Sequence, residues 1–174
     1  MDTTDIFAAE IQQLNDRVDH ADIRTNEDVR RFISDITKLI YDYKMIGRIY
    51  DFYLEDVEYH KQNKVIFTNV EDVVRNVAEF SAAFPNLKTH IENIIVYKVH
   101  DDFYKVSKRL HYWGNNYGVS KYGPPTGKSL GNNCLSMSLL HLKRIGGQWK
   151  ITFEINNDSE LWLERVQTSA PASL

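Results

Sequence analysis

The feature that most limits what this chain can become is a change of hydrophobic period near Leu87. Before it, apolar residues recur at helical spacings; after it they gather in long runs rich in Ile, Val, Tyr and Leu. Breaks at Asp101-Asp102, at the Gly/Asn/Pro-rich stretch from Gly114 to Asn133 and at Gly146-Gly147 divide the second half into about four antiparallel strands. The pair Gly146-Gly147, between LSMSLLHLKRI and QWKITFEI, is the clearest hairpin, because glycine alone accepts positive φ at both central positions without strain. Helices first and strands second give an α+β layer structure in which the helices must cover one face of the sheet.

The helical half resolves into separate segments. Phe7, Ile11, Leu14 and Val18 place an amphipathic helix over about residues 5–20, with one apolar stripe to pack on the domain or on a partner. Thr25 and Asp28 form a variant of the capping box, whose last place prefers Glu or Gln. They precede Val29, Phe32, Ile33, Ile36, Leu39, Ile40 and Tyr43, the stripe of a long central helix. After Gly47 the segment IYDFYLEDVEYH turns toward aromatic and β-branched residues, a short helix feeding a strand that ends near His60. Thr68 with Glu71 makes a complete capping box ahead of Val70, Val73, Val74, Val77 and Phe80, and Pro85 ends that helix.

A chain of 174 residues suits one domain with a sizeable core. The expected division is a helical extension over 1–24, the domain over 25–167 and a disordered tail, TSAPASL, over 168–174. The first residues carry acids where a secretory signal would be basic and then apolar, and no segment reaches the roughly 18 apolar residues of a membrane span, so a cytoplasmic protein is expected. One cysteine, Cys134, cannot form an internal disulfide and reads as a small apolar filler. The net charge is −3 and the Lys and Arg residues are scattered, so neither nucleic acid nor membrane is an expected partner.

Several motifs fail on inspection. Gly123-Pro-Pro-Thr-Gly127-Lys128-Ser129 resembles a phosphate loop, but it is one residue short, its prolines lack the amides that cradle phosphate, and a strand follows. The histidines at 20, 60, 90, 100, 111 and 141 never fall four apart on one helix, so no metal is expected. Neither G-x-S-x-G nor G-x-G-x-x-G occurs, which leaves acyl transfer and dinucleotide chemistry without support; no cofactor is expected.

Several fragments stand in an order that resembles the SnoaL-like polyketide cyclase family, within the nuclear transport factor 2-like group. They are YLEDVEYH, AAFPNLKTHIENI, YKVSKRLHYWGNNYG, YGPPTGKSL and GGQWKITFEINND, spanning about Ile46 to Val166. The resemblance implies a cone, a curved antiparallel sheet wrapped around N-terminal helices and enclosing an apolar pocket, and a homodimer. It also implies a strand-end histidine, His60, looking into that pocket and a carboxylate near the end of the last strand acting as acid and base.

Two registers of the last strand stay open. Equating Phe153 with the family's strand tryptophan puts Asn157 at the carboxylate position, whereas a shift of one residue puts Asp158 there, and neighbours on a strand face opposite sides. An amide cannot abstract a proton, so the choice decides whether the pocket has a base. Asp158 with His60 is the catalytic pair expected on the resemblance, with His60 or His111 donating to an enolate oxygen. An ordinary capping role for Asp158 ahead of Ser159-Glu160-Leu161-Trp162 competes with it. Arg109, His111 and Trp113 share one face of their strand, inward or outward; Tyr112, Trp113, Trp149 and Phe153 are candidate pocket walls or plain core. Glu154, opposite in facing to Phe153, is the fallback carboxylate. The expected function is a cofactor-independent cyclase or isomerase moving a proton on a small apolar oxo-compound, the alternative a non-catalytic ligand-binding or dimerisation module.

Overall fold

The computed structural model describes residues 3–62, 64–131, 134–158 and Val166. Its helices are α1 (Thr3–Asp19), α2 (Asn26–Thr37), α3 (Ile49–Phe52) and α4 (Val70–Ala83). Its strands are β1 (Tyr53–Lys61), β2 (Val65–Phe67), β3 (Lys88–His100), β4 (Phe103–Trp113), β5 (Leu135–Ile145) and β6 (Gln148–Asp158). One curved, unclosed sheet runs β2-β1-β6-β5-β4-β3. It is mixed rather than wholly antiparallel, because β1 runs parallel to β6. A strand from the helical half enters beside the last strand, and direct hairpins impose antiparallel pairing only on chain neighbours.

The long central helix begins where expected. The Thr25 side chain accepts from the Asp28 amide and the Asp28 carboxylate accepts from the Thr25 amide, so aspartate closes this box as glutamate would. Over Lys38–Asp42 it widens into a π-helix, which no apolar spacing announces. Asp42 at its end accepts from the Thr89 amide and hydroxyl at 2.7 and 2.8 Å. With Arg30 donating to the Ile94 carbonyl at 3.1 Å, this covers bonding groups of the edge strand β3. The cap of α4 lies one residue later than the Thr68/Glu71 spacing suggests, at Asn69, whose side-chain Oδ1 accepts from the Asp72 amide at 2.9 Å. Asn ranks above Thr as an N-cap, and its side-chain oxygen reaches the amide three residues on.

Helix α1 packs on the domain. Leu14 and Val18 join the main core, Phe7 is exposed, and Arg17 forks onto the carboxylate of Asp35 on α2 at 2.8 and 2.9 Å. The main core lies between α2 and the concave face of the sheet; a second cluster gathers Phe84, Leu87, Leu110, Leu130, Cys134 and Val166 at the other end. The Gly146-Gly147 turn forms as read, with φ of 58° and 84°. Among the described residues no helix is long and apolar enough to cross a membrane. The tail 168–174 and the Ser159–Trp162 segment lie outside the described residues.

Candidate functional site

A cavity of about 380 Å³ opens where the two core clusters meet, between β1, β2, α4, the end of β6 and the β4–β5 connection. What decides its chemistry is a β-bulge. On β6, Trp149 and Ile151 are buried on the inner face; Ile151 pairs with Leu142 and Phe153 with His141, so Thr152 is an extra residue without a partner on β5. The bulge changes the parity of the strand. Beyond it Glu154 and Asn156 are buried and Asp158 faces the cavity, while Phe153, Ile155 and Asn157 turn to the outer face. Of the two, Asp158 faces the cavity and Asn157 does not.

Asp158 occupies a mixed environment. Burial pushes its pKa above the ordinary 3.8, against a hydrogen bond from Ser136 and the attraction of Lys61 and Lys108. One of its oxygens, Oδ1, is buried and has no hydrogen-bond partner among the described residues. Tyr41 and Tyr112 stand in the same cavity with ring centroids 5.4 Å apart. Burial raises the pKa of both phenols, so each keeps its proton. Phe80 packs on Tyr112 at 5.1 Å, and Tyr59 stacks on Phe67 at 5.8 Å, which gives the cavity aromatic walls.

Behind Asp158 lies a second tier of buried polar groups. Glu154, only 2% exposed, accepts from the Tyr53 hydroxyl at 2.6 Å. Lys108 is buried on the inner face of β4, 3.4 Å from the Thr37 hydroxyl; burial lowers its pKa against the pull of Glu154 and Asp158. Neither residue lines the cavity. Glu154 is therefore an interior carboxylate, facing as the strand alternation predicts but walled off from a ligand.

Several sequence-derived candidates lie elsewhere. His60 points away from the cavity because Tyr59 and Lys61, its neighbours on β1, point in; it bonds to Glu58 at 2.5 Å and packs on Phe153 at 5.6 Å, on the outer face. His111 is on the outer face of β4, bonded to Glu92, and Arg109 and Trp113 share that face. Phe153 and Asn157 are on the outer face of β6, and Trp149 packs on Tyr104 in the main core. Of the aromatic candidates only Tyr112 lines the cavity.

Sequence reasoning missed Tyr41, Tyr59 and Lys61. Tyr41 lies within the π-helix and outside the stripe that the apolar spacing marks. Tyr59 and Lys61 follow from turning His60 outward.

The β4–β5 connection is held to the domain by Asn116. Its side chain accepts from the Thr126 amide and hydroxyl and donates to the Ala83 carbonyl at 3.1 Å, while its backbone bonds to Gly127 and Lys128. This connection includes the Gly123–Ser129 stretch that mimics a phosphate loop, and it forms a strap that carries Lys121 and Tyr122 to the cavity. Among the described residues no three His, Cys, Asp or Glu side chains gather to hold a metal.

No family model matches the chain. No curated protein matches it in sequence. Solved structures do resemble it in fold. A protein from Novosphingobium aromaticivorans assigned as a scytalone dehydratase superposes with a TM-score of 0.59 at 12% identity, over 87% of this chain and 88% of that one. An NTF2-like protein from Cytophaga hutchinsonii gives 0.58 at 12% identity, over 78% and 99%. A protein from Jannaschia sp. CCS1 assigned as a SnoaL-like polyketide cyclase gives 0.55 at 15% identity, over 80% and 92%. At these identities the likeness establishes the fold, the NTF2-like α+β cone.

Proposed function

We propose that the cavity is the active site of a cofactor-independent enzyme that moves a proton with Asp158 on a small, largely apolar oxo-compound, as a cyclase or isomerase does. The observation that carries this reading is the buried Oδ1 of Asp158, without a hydrogen-bond partner among the described residues, facing an aromatic cavity beside two protonated phenols. A desolvated carboxylate is a stronger base than one in water and returns the proton readily near neutral pH. In the proposed step Asp158 takes the proton α to a carbonyl. The C–H electron pair becomes the enolate, and Tyr41 or Tyr112 donates a hydrogen bond to the developing oxyanion. The enolate is then reprotonated elsewhere by Asp158 or attacks a second carbonyl of the same molecule. The donor role foreseen for His60 or His111 passes to the tyrosines, because both histidines are on the outer face. The neighbours assigned as a dehydratase and a cyclase are consistent with such chemistry on this fold.

The test is deuterium exchange at the acetyl group of 2-acetonaphthone in D2O, followed by NMR. Wild-type protein should accelerate exchange and Asp158→Asn should lose at least about a hundredfold, the usual contribution of a general base. Saturable binding of the ketone without faster exchange would instead make the cone a non-catalytic ligand carrier.

A homodimer is part of the proposal. Ile95, Tyr97 and Met137 stand 60%, 67% and 50% exposed on the outer sheet face, apolar area of the kind that pairing covers. Sedimentation equilibrium should give a dimer that Tyr97→Glu weakens; a monomer at high concentration would remove this element. The buried, unpaired Cys134 suits a reducing compartment, so we assign the protein to the cytoplasm, which fractionation against a cytosolic marker checks.

A further inference from the structure

In the proposed reaction Asp158 is charged before each proton transfer and neutral after it, and one hydroxyl beside it can serve both forms. Ser136 on β5 stands directly opposite Asp158 on β6. It is 1% exposed, and its Oγ is within reach of two acceptors. One is the Asp158 carboxylate, which it hydrogen-bonds. Because Oδ1 of Asp158 has no partner among the described residues, that bond falls to Oδ2. The other acceptor is Oδ1 of Asn156, one step back along the same face of β6, at 3.5 Å.

A hydroxyl has a single proton to donate and can accept as well, so Ser136 serves one acceptor at a time. With Asp158 ionised, the carboxylate is the stronger acceptor and takes that proton's hydrogen bond. With Asp158 protonated, the carboxyl O–H donates to Ser136 Oγ, and the Ser136 hydroxyl turns to Asn156. Only O–H groups rotate; no side chain moves. We propose that Ser136 is a positioning residue, with Asn156 as its alternate acceptor, that holds Asp158 in one orientation in both protonation states and keeps Oδ1 for the substrate. This rests on the proposed function of the same carboxylate and adds the device that lets it take a proton and return it from one place.

The test follows the Asp158 carboxyl by 13C NMR titration, which needs no turnover. Ser136→Ala removes a donor to the charged form and should raise the midpoint by about one pH unit. Asn156→Leu removes the acceptor that supports the neutral form and should lower it by about half a unit, an effect that must disappear in the double variant, because Asn156 acts only through Ser136. Lys61 of β1 and Lys108 of β4, which attract the charged form, stay in place in every variant. So do the phenols Tyr41, Tyr59, Tyr112 and Tyr122 and the thiol of Cys134, whose ionisation Asp158 opposes. Ser138→Ala is the control: its buried Oγ has no partner among the described residues, and its loss should leave the midpoint unchanged. Should Asn156→Leu fail to fold, Asn156→Ala removes the same acceptor and must lower the midpoint likewise.

In ketone exchange, Ser136→Ala should lower kcat about tenfold with KM unchanged, and Ser136→Thr, which restores the hydroxyl, should recover most of it. An unmoved midpoint in Ser136→Ala, an equal rise in Ser138→Ala, or an Asn156 effect that persists without Ser136 would overturn the inference and leave Asp158 as the base. The expected midpoints without exchange by the wild-type protein would remove the catalysis and keep Ser136 as the group that positions Asp158.

Discussion

Holding a carboxylate away from water costs stability, and at Asp158 that cost has a definite pH dependence. Its folded pKa is raised above the ordinary 3.8 by burial, so between those two values the folded chain binds more protons than the unfolded one. Stability associated with the protonated acid is full below the unfolded value and is lost as pH rises through the folded value. Asp158→Asn, which keeps the shape and can still bond to Ser136, should therefore melt a few degrees higher at neutral pH, the shift that about 1 kcal/mol produces in a chain of this size. The difference should vanish below the unfolded value. Thermal melts across pH check this, and an Asn variant less stable at every pH would show that Asp158 serves the fold. At this scale the sequence was half legible. Glu154 could be set on the face opposite Phe153, but which face is inner, and with it the choice between Asn157 and Asp158, hinged on an unpaired Thr152, and a bulge leaves no mark in a strand whose neighbouring residues all tolerate extended backbone.

Among the elements, β4 shows how much alternation can carry. Tyr104, Val106, Leu110 and Tyr112 are buried, while Lys105, Arg109 and Trp113 are exposed, so the grouping of Arg109, His111 and Trp113 on one face was legible, and which face is inner was not. The lysine at 108, on the apolar side, and the tryptophan at 113, on the polar side, blurred that reading. The π-helix was not legible, because residues 38–42 keep an apolar content that an ordinary helix would also show. The strap between β4 and β5 read only as a loop, yet it is closely fitted: a Cβ at Gly118 would stand 1.7 Å from the Ala82 carbonyl oxygen. Gly118→Ala should lift the strap from α4, destabilise the chain by about 3 kcal/mol in urea titrations, and weaken ligand binding by freeing Lys121 and Tyr122. An alanine variant of unchanged stability would mean that the strap is not docked as described.

At the scale of the whole molecule, the sheet separates two chemistries. Its outer face carries His60, His111, Trp113 and Phe153 together with the exposed Ile95 and Tyr97. Its inner face carries a polar file, Ser136, Ser138, Lys108, Glu154, Asn156 and Asp158, within an otherwise apolar concavity. The helix-then-strand order made the α+β layering legible from period, and the family resemblance implied the cone. The partition of polar groups between its faces was not, since it follows from bulges and from the parallel entry of β1 beside β6. Buried polar groups of this number need partners or a use, and Asp158 Oδ1 has no partner among the described residues.

The central claim is that this interior sets Asp158 as a proton-transfer carboxylate. Its most direct test is a 13C NMR titration of the Asp158 carboxyl, assigned by its loss in Asp158→Asn. The midpoint should lie above 3.8 and move further upward in Lys108→Met, where one source of attraction for the charged form is gone. A midpoint at or below the ordinary value, unmoved by that substitution, would contradict it.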